Sequence, residues 1–361
     1  MLAPFLLGLC VALGQAPGAP AGFDSSRWDI QDPGGQPGPY LGRPALFLDN
    51  GTALLRGSSF ADGTIDFDVA LHGHASFAGV LFRAASGDDY ELVYVRPHRS
   101  RQPDALQYTP IFGGAEVWQL YSGDGYTGAA ELPLNRWVHV RLVVSGYTAR
   151  LFVDGASEPQ LVVTDLKRPW ASGQVGLWGR LGGAHFSNLV VSQTTASAPA
   201  PRPETPAGDG ILVDWEISPA YETATVKPDV LPSTPLAWMP VRAEASGMVN
   251  ISRFRKSVRT AASAAQRSRD LVFARRVLVE PAARRVRLQF AYSDAIHIFL
   301  NGKLLFAGES AFRARDPSFL GIASLGPDAI YLDLNAGRNE LVFAVSETFG
   351  GWGFAGRLER Q

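Results

Sequence analysis

Cysteine is nearly missing from this chain. Cys10 is the only one among 361 residues. Beyond it there is no thiol to build a disulfide framework, a thiolate nucleophile or a cysteine-ligated metal centre. Charge of one sign is missing as well. Lys and Arg number 33 against 34 Asp and Glu, for a net charge of −1. That argues against the broad basic surface with which nucleic-acid-binding proteins displace counterions from phosphate, so no nucleic-acid partner is expected. No apolar run is long enough to cross a bilayer as a helix. No H-E-x-x-H, no Ser–His–Asp order and no glycine-rich phosphate loop after a strand occurs. Glycine (38), proline (25), phenylalanine (20) and tryptophan (8) are plentiful. With 46% hydrophobic residues, this is the composition of an all-β protein with tight turns and cores to bury.

The chain begins MLAPFLLGLCVALGQAPGAPAG. The apolar run Leu2 to Leu13, followed by small residues, reads as a secretory signal peptide over 1–16, with Gly14-Gln15-Ala16 at the cleavage site. Leu9 stands where a lipoprotein signal needs a small residue, which disfavours lipidation of Cys10. The expectation is a secreted or periplasmic protein with no transmembrane span in its mature chain. An exported chain without disulfides points to a bacterial envelope or secreted product.

Residues 192–210, SQTTASAPAPRPETPAGDG, show no apolar periodicity. Such a Pro/Ala/Thr-rich segment stays extended and forms no core, so it reads as a linker between domains at 22–191 and 211–360. The first domain alternates in period two. In GTIDFDVALHG, Ile65, Phe67 and Val69 face one way and Asp66, Asp68 and Ala70 the other. FAGVLFRA, DYELVYVRP, RWVHVRLVVSG, ARLFVDG, QVGLWGR and AHFSNLVVS follow the same rule, the mark of half-buried strands. Asp154-Gly155 and, in the second domain, Asn301-Gly302 are two-residue hairpin turns. Only RKSVRTAASAAQRSRD, 255–270, is ambiguous between a short helix and a basic loop. The fold class is therefore all-β, two sandwich or jelly-roll domains joined by a linker.

The strand series from FADGTIDFDV to AHFSNLVV, and above all W-x-H-V-R-L followed by A-R-L-F-V-D-G, resembles the concanavalin A-like lectin/glucanase jelly roll. It is nearest to exported bacterial domains of LamG-like, family-16-glycoside-hydrolase-like or 3-keto-disaccharide-hydrolase-like type. YSDAIHIFLNGKLLFAG, FRARDPSFLG, LNAGRNELVFAV and FGGWGF resemble the galactose-binding-like jelly roll over about 270–358. The resemblance implies saccharide as partner and admits a structural calcium ion; no other cofactor is expected. A fold that hosts enzymes, lectins and adhesion modules alike does not fix the activity.

Polar chemistry concentrates in YVRPHRSRQPDALQY, 94–108. On one strand face Tyr94, Arg96 and His98 form an aromatic and cationic row, while Val93 and Val95 turn to the core. Gln107 and Tyr108 return beside Arg96, and Trp118 follows. Sugars are held by aromatic faces over C–H groups and by planar amides, carboxylates and guanidinium groups on hydroxyls. Tyr94, Arg96, His98, Gln107, Tyr108 and Trp118 offer both on a concave sheet face. The competing reading is that Arg96 pairs with Glu91, Asp89 or Asp104 and pins the loop. Trp137 and Trp170 are weaker candidates. Trp178 reads as core or an edge plug, and His185 as bonded to backbone. In the second domain Tyr292, Asp294, Arg313, Arg315, Asp316 and Trp352 form the comparable set. They read either as an ion network or as a site with Trp352 as stacking platform.

For catalysis, a glucanase of this fold needs paired carboxylates, and the E-x-D-x-x-E strand of the family-16 motif is absent. Asp66, Asp68, Glu91, Asp104 and Glu116 are the acids left to converge in space. Cleavage of an oxidised glycoside would ask for a base and a cation, for which His98 and Arg96, with Glu91 and Asp104, are the candidates. A non-catalytic carbohydrate-binding or adhesion protein is the leading expectation, and a glycoside-cleaving enzyme with its site on the same face the alternative.

Overall fold

The computed structural model describes residues 22–73, 75–194, 198–200 and 205–359. Residues 1–16, expected to be a signal peptide, lie outside the described residues. The strands form four antiparallel sheets, two from residues 28–193 and two from 214–359. In the first pair, an eight-stranded sheet runs Trp28–Gln31, Gly51–Leu55, Gln174–Arg180, Phe77–Ser86, Asp89–Val95, Leu106–Phe112, Thr127–Gly128, with Ala115–Glu116 paired to Leu106–Phe112. Its seven-stranded partner runs Leu161–Val163, Thr148–Val153, Trp137–Ser145, Gly63–Leu71, Ala184–Gln193, Arg43–Leu48, Gln36–Tyr40. Each sheet mixes hairpin neighbours with pairs distant in sequence, the crossovers of a jelly-roll sandwich.

Alternation decides the core. Ile65, Phe67, Val69, Val93, Val95, Val138, Val140 and Leu142 meet between the two sheets and are at most 2% exposed. The second pair encloses its own core around Trp215, Phe290, Phe343 and Phe354. Asp154-Gly155 and Asn301-Gly302 have positive φ at both positions (57° and 77°; 51° and 83°), the geometry of a type I′ hairpin.

Residues 192–193 end the last strand of the first sandwich, and Gly210 and Ile211 already pair with the final strand of the second. The ambiguous 255–270 segment holds one short helix, Ala261–Ala265, closed by a capping box between Thr260 and Ser263. Among the described residues no helix is long and apolar enough to cross a membrane.

The two sandwiches dock. Val117, Leu120 and Tyr121 of the first pack with Met248, Ala291, Ala323 and Ala355 of the second. Gln119 is inserted between them. Its N–H donates to Gly350 O (2.8 Å) and its Nε2 to Leu320 O (2.9 Å), while Oε1 accepts from Ser293 Oγ (3.0 Å). Gly350 has φ +98°, and a Cβ there would collide with the Gln119 side chain, so glycine is required. Beside this wedge Glu244 accepts from Tyr121 Oη (2.6 Å) and from Lys167 Nζ (2.7 Å).

Candidate functional site

The face of the eight-stranded sheet that turns away from the first core carries its own aromatic layer. Tyr90, Leu92, Tyr94, Ile111 and Trp178 pack there with Leu54 and Leu81. The ladder sets Thr52, Trp178, Gly79, Tyr94 and Gln107 in one row across five strands. Gly79 makes the row possible: a Cβ there would lie 2.6 Å from the Tyr94 Cβ. Without one, Trp178 and Tyr94 meet across it with ring centroids 5.2 Å apart.

Arg96 sits at the end of this row. Its Nη1 donates to Asp104 Oδ2 (3.0 Å) and its Nη2 to Tyr94 Oη (2.9 Å) and Gln107 Oε1 (3.0 Å). The guanidinium lies over the rings of Tyr94 (5.3 Å) and Trp118 (5.6 Å). Asp104 is also held by Arg99. The side chains of Arg96 and Asp104 are 9% and 13% exposed. Arg96 therefore pins the 97–105 loop, and its Nη donors are spent on protein acceptors. His98 lies on the short turn Pro97–Arg99, exposed, with its ring edge on Phe77 (5.3 Å). Partial burial and the neighbouring Arg96 hold its imidazole below the usual histidine range.

Several expected site residues are placed elsewhere. Tyr108 is 0% exposed between the sheets, where its hydroxyl donates to Glu91 Oε2 (2.7 Å) and accepts from Lys167 N–H (2.7 Å). Glu91, also 0% exposed, takes a second bond from Arg168 N–H (3.0 Å). Burial pushes the Glu91 carboxyl up. Neither residue is able to touch a ligand, so both leave the candidate set. Adjacent strand residues point to opposite faces, which is why Gln107 and Tyr108 part company. Asp66 and Asp68 are on the outer face of the other sheet, bound to His139, Arg141, Arg43 and Asn188. The five candidate acids do not converge. His185 bonds His72 (3.2 Å between ring nitrogens) and stacks on Tyr40, rather than bonding backbone.

In the second sandwich Trp352 is 3% exposed in the core and its indole N–H donates to Val345 O (3.1 Å). It is not a stacking platform. Tyr292 is 2% exposed and accepts from Arg315, which also binds Asp328. Asp316 caps Ser318. Arg313 is exposed over the Phe312 ring (4.9 Å). Asp294 (0% exposed) and Glu347 (6%) form a buried acid pair, each with one oxygen lacking a partner, and burial raises both carboxyls. Beyond the Tyr292–Arg315 bond and the Asp294–Glu347 pair, these residues make separate contacts and no shared site.

A cavity of about 230 Å³ opens beside the aromatic row. Thr52, Asp88, Tyr90, Glu116, Trp178 and Arg180 line it. Arg180 Nη2 pairs with Glu116 Oε1 at 2.8 Å, its side chain 47% exposed, and its guanidinium lies 5.9 Å from the Trp178 ring. Desolvation raises the Glu116 carboxyl, against the pull of Arg180 and Arg96. Burial and the Glu116 charge push the Tyr90 phenol up. Trp178 and Tyr90 are 3% and 5% exposed, so the cavity presents little aromatic surface and one carboxylate–guanidinium pair at its rim. A second cavity of about 260 Å³ lies at the domain boundary by Lys167, Arg242, Glu244 and Arg253. There Lys167 is already bonded to Asp165 and Glu244, so its charge is committed to docking. Sequence alone offered Trp178 as a plug and Glu116 as a lone acid, and it passed over Arg180. Parity sets Trp178 and Arg180 on one face, a signal available in QVGLWGR. Among the described residues no group of three or more His, Cys, Asp or Glu is placed to hold a metal ion.

No family model and no curated protein matches the chain. Solved structures similar to part of it include the carbohydrate binding module CBM66 from Bacillus subtilis, at 14% identity, covering 45% of this chain and 93% of that one with a TM-score of 0.35. A putative glycosyl hydrolase from Parabacteroides distasonis ATCC 8503 is 11% identical, covering 50% and 100%, TM-score 0.37. The VIP36 exoplasmic/lumenal domain in its Ca2+/Man3GlcNAc-bound form is 12% identical, covering 49% and 88%, TM-score 0.35.

Proposed function

We propose that the protein is an exported, non-catalytic saccharide-binding protein whose ligand sits on the outer face of the eight-stranded sheet. The observation that carries this is the cavity with the Glu116–Arg180 pair at its rim. A carboxylate beside a guanidinium offers acceptors and donors to neighbouring hydroxyls, while the Trp178 and Tyr90 rings, 3% and 5% exposed, back the cavity rather than stack on the sugar. Export is supported by the Leu2–Leu13 apolar run of the sequence.

The test is a glycan array followed by titration of the best binder. Arg180→Ala and Glu116→Gln are expected to weaken binding at least tenfold with thermal stability nearly unchanged. A wild type that binds no glycan, or variants that bind as well as wild type, would refute the reading.

One feature favours the alternative of a glycoside-cleaving enzyme. Glu116 has a raised carboxyl and Asp88 lines the same cavity, as a general acid opposite a second carboxylate requires. Release of reducing ends from a bound glycan, abolished in Glu116→Gln with binding retained, would decide for the enzyme.

A further inference from the structure

We propose that the second sandwich supplies an aromatic ledge to the same site, so that the ligand is a glycan chain of several residues crossing the domain boundary. The proposal rests on the saccharide reading of the groove. Three rings carry it. Trp118 of the first sandwich meets Phe312 of the second at 6.2 Å between centroids, and Phe312 meets Phe349 at 6.2 Å, both edge to face. Phe349 is 53% exposed, and Trp118 and Phe312 are half-buried. Arg313 lies exposed over Phe312.

This ledge begins where the groove ends. Trp118 follows Glu116 by two residues, and Arg96, which covers the Trp118 ring, is close enough to Glu116 to favour its charged form. A chain of contacts runs from Trp178, Tyr94 and Arg96, 3%, 4% and 7% exposed, through Trp118 and Phe312 to Phe349 at the surface. The buried members fix the exposed ones in place.

The ledge is also held rigidly across two domains. Gln119, next to Trp118, bonds Gly350, next to Phe349, and Leu320 on the loop that carries Phe312. A ring used only for docking would be covered by the docking. Phe349 stands beside a contact that buries Leu120, Met248 and Ala355, yet leaves most of its own surface in water. An exposed ring, Phe349, beside two half-buried rings and the exposed Arg313, offers a further sugar residue an apolar contact beyond the groove.

The experiment is calorimetric titration of the full chain with di- to octasaccharides of β-1,4-glucan, β-1,3-glucan, β-1,4-xylan and β-1,4-mannan. Wild type, Phe349→Ala, Phe349→Tyr and Phe312→Ala are compared. The expected result is a series whose affinity climbs with length in wild type. Phe349→Ala and Phe312→Ala flatten that climb by about tenfold at the long end and leave the shortest binder unchanged, while Phe349→Tyr restores it. Phe349 is exposed enough that its variants test binding rather than folding, should Phe312→Ala loosen the docking. An affinity that does not grow with length, or that grows equally in Phe349→Ala, overturns the ledge and leaves the groove standing. No binding by wild type in any series overturns the groove reading and the ledge with it.

Discussion

Arg96→Ala separates a clamp from a grip. In the structure this guanidinium satisfies Asp104, Tyr94 Oη and Gln107 Oε1, and covers two rings. Removing it does not orphan Asp104, which keeps two contacts from Arg99 Nε at 2.9 and 3.2 Å. It does leave Gln107 Oε1, on a residue 1% exposed, without its donor, and Tyr94 Oη without its partner. Each buried group stripped of a charged partner costs about 1–3 kcal/mol. Each lost ring contact adds about 0.5–1 kcal/mol. With relaxation of the loop, the loss is about 3–4 kcal/mol, in the range found when one partner of a buried ionic pair is removed. For a domain of this size that corresponds to a drop in Tm of about 10 °C. The control is Arg101→Ala, whose ion pair with Glu131 is 73% and 65% exposed and is worth about 0–1 kcal/mol. Urea titrations of the two variants against wild type make the comparison. If Arg96→Ala proves as stable as Arg101→Ala, the clamp account is wrong. If it also loses saccharide binding, Arg96 belongs to the site.

Other perturbations probe the remaining claims. Gln119→Ala removes two side-chain bonds at the domain junction and should cost about 2 kcal/mol, with faster proteolytic nicking in 195–208; unchanged nicking would mean the apolar contact alone holds the domains. Burial raises the folded-state values of Asp294 and Glu347, and the Asp294 charge raises that of Glu347 further, so the native state holds protons more tightly than the unfolded chain. The stability they contribute is therefore present below the ordinary carboxylate range and is lost as pH rises through the raised values. Glu347→Gln is then expected to stabilise the protein near pH 8 by about 1 kcal/mol, with the gain vanishing near pH 4; a variant less stable than wild type at pH 8 would contradict this. Tyr108→Phe should cost about 1–2 kcal/mol by leaving Glu91 short of a donor while saccharide binding is untouched; lost binding would return Tyr108 to the site.

The fold was legible because period-two alternation is dense in both halves, and burial follows it residue by residue. Val93 and Val95 face the core as the alternation requires, and Tyr90, Leu92 and Tyr94 face out. The site was legible only where it is local. Tyr94, Arg96, Asp104 and Gln107 lie within one hairpin, so their meeting follows from the turn. The same alternation already separated Tyr108 from Gln107 and set Glu91 with Val93, and applying it to both would have removed them. Groove members Thr52, Tyr90, Glu116, Trp178 and Arg180 stand on four strands, and strand order in a jelly roll is not written in any single strand. Trp352 misleads for another reason. Its glycine-rich flank reads as a turn, but those glycines allow the chain to bring the indole into the core, against Val345.

The most direct measurement is the crystal structure of the protein soaked with its best array ligand. The account predicts a sugar ring in the cavity within hydrogen-bond reach of Glu116 and Arg180. A sugar found instead at the Lys167 boundary cavity or on the Tyr40–His185 face would contradict it.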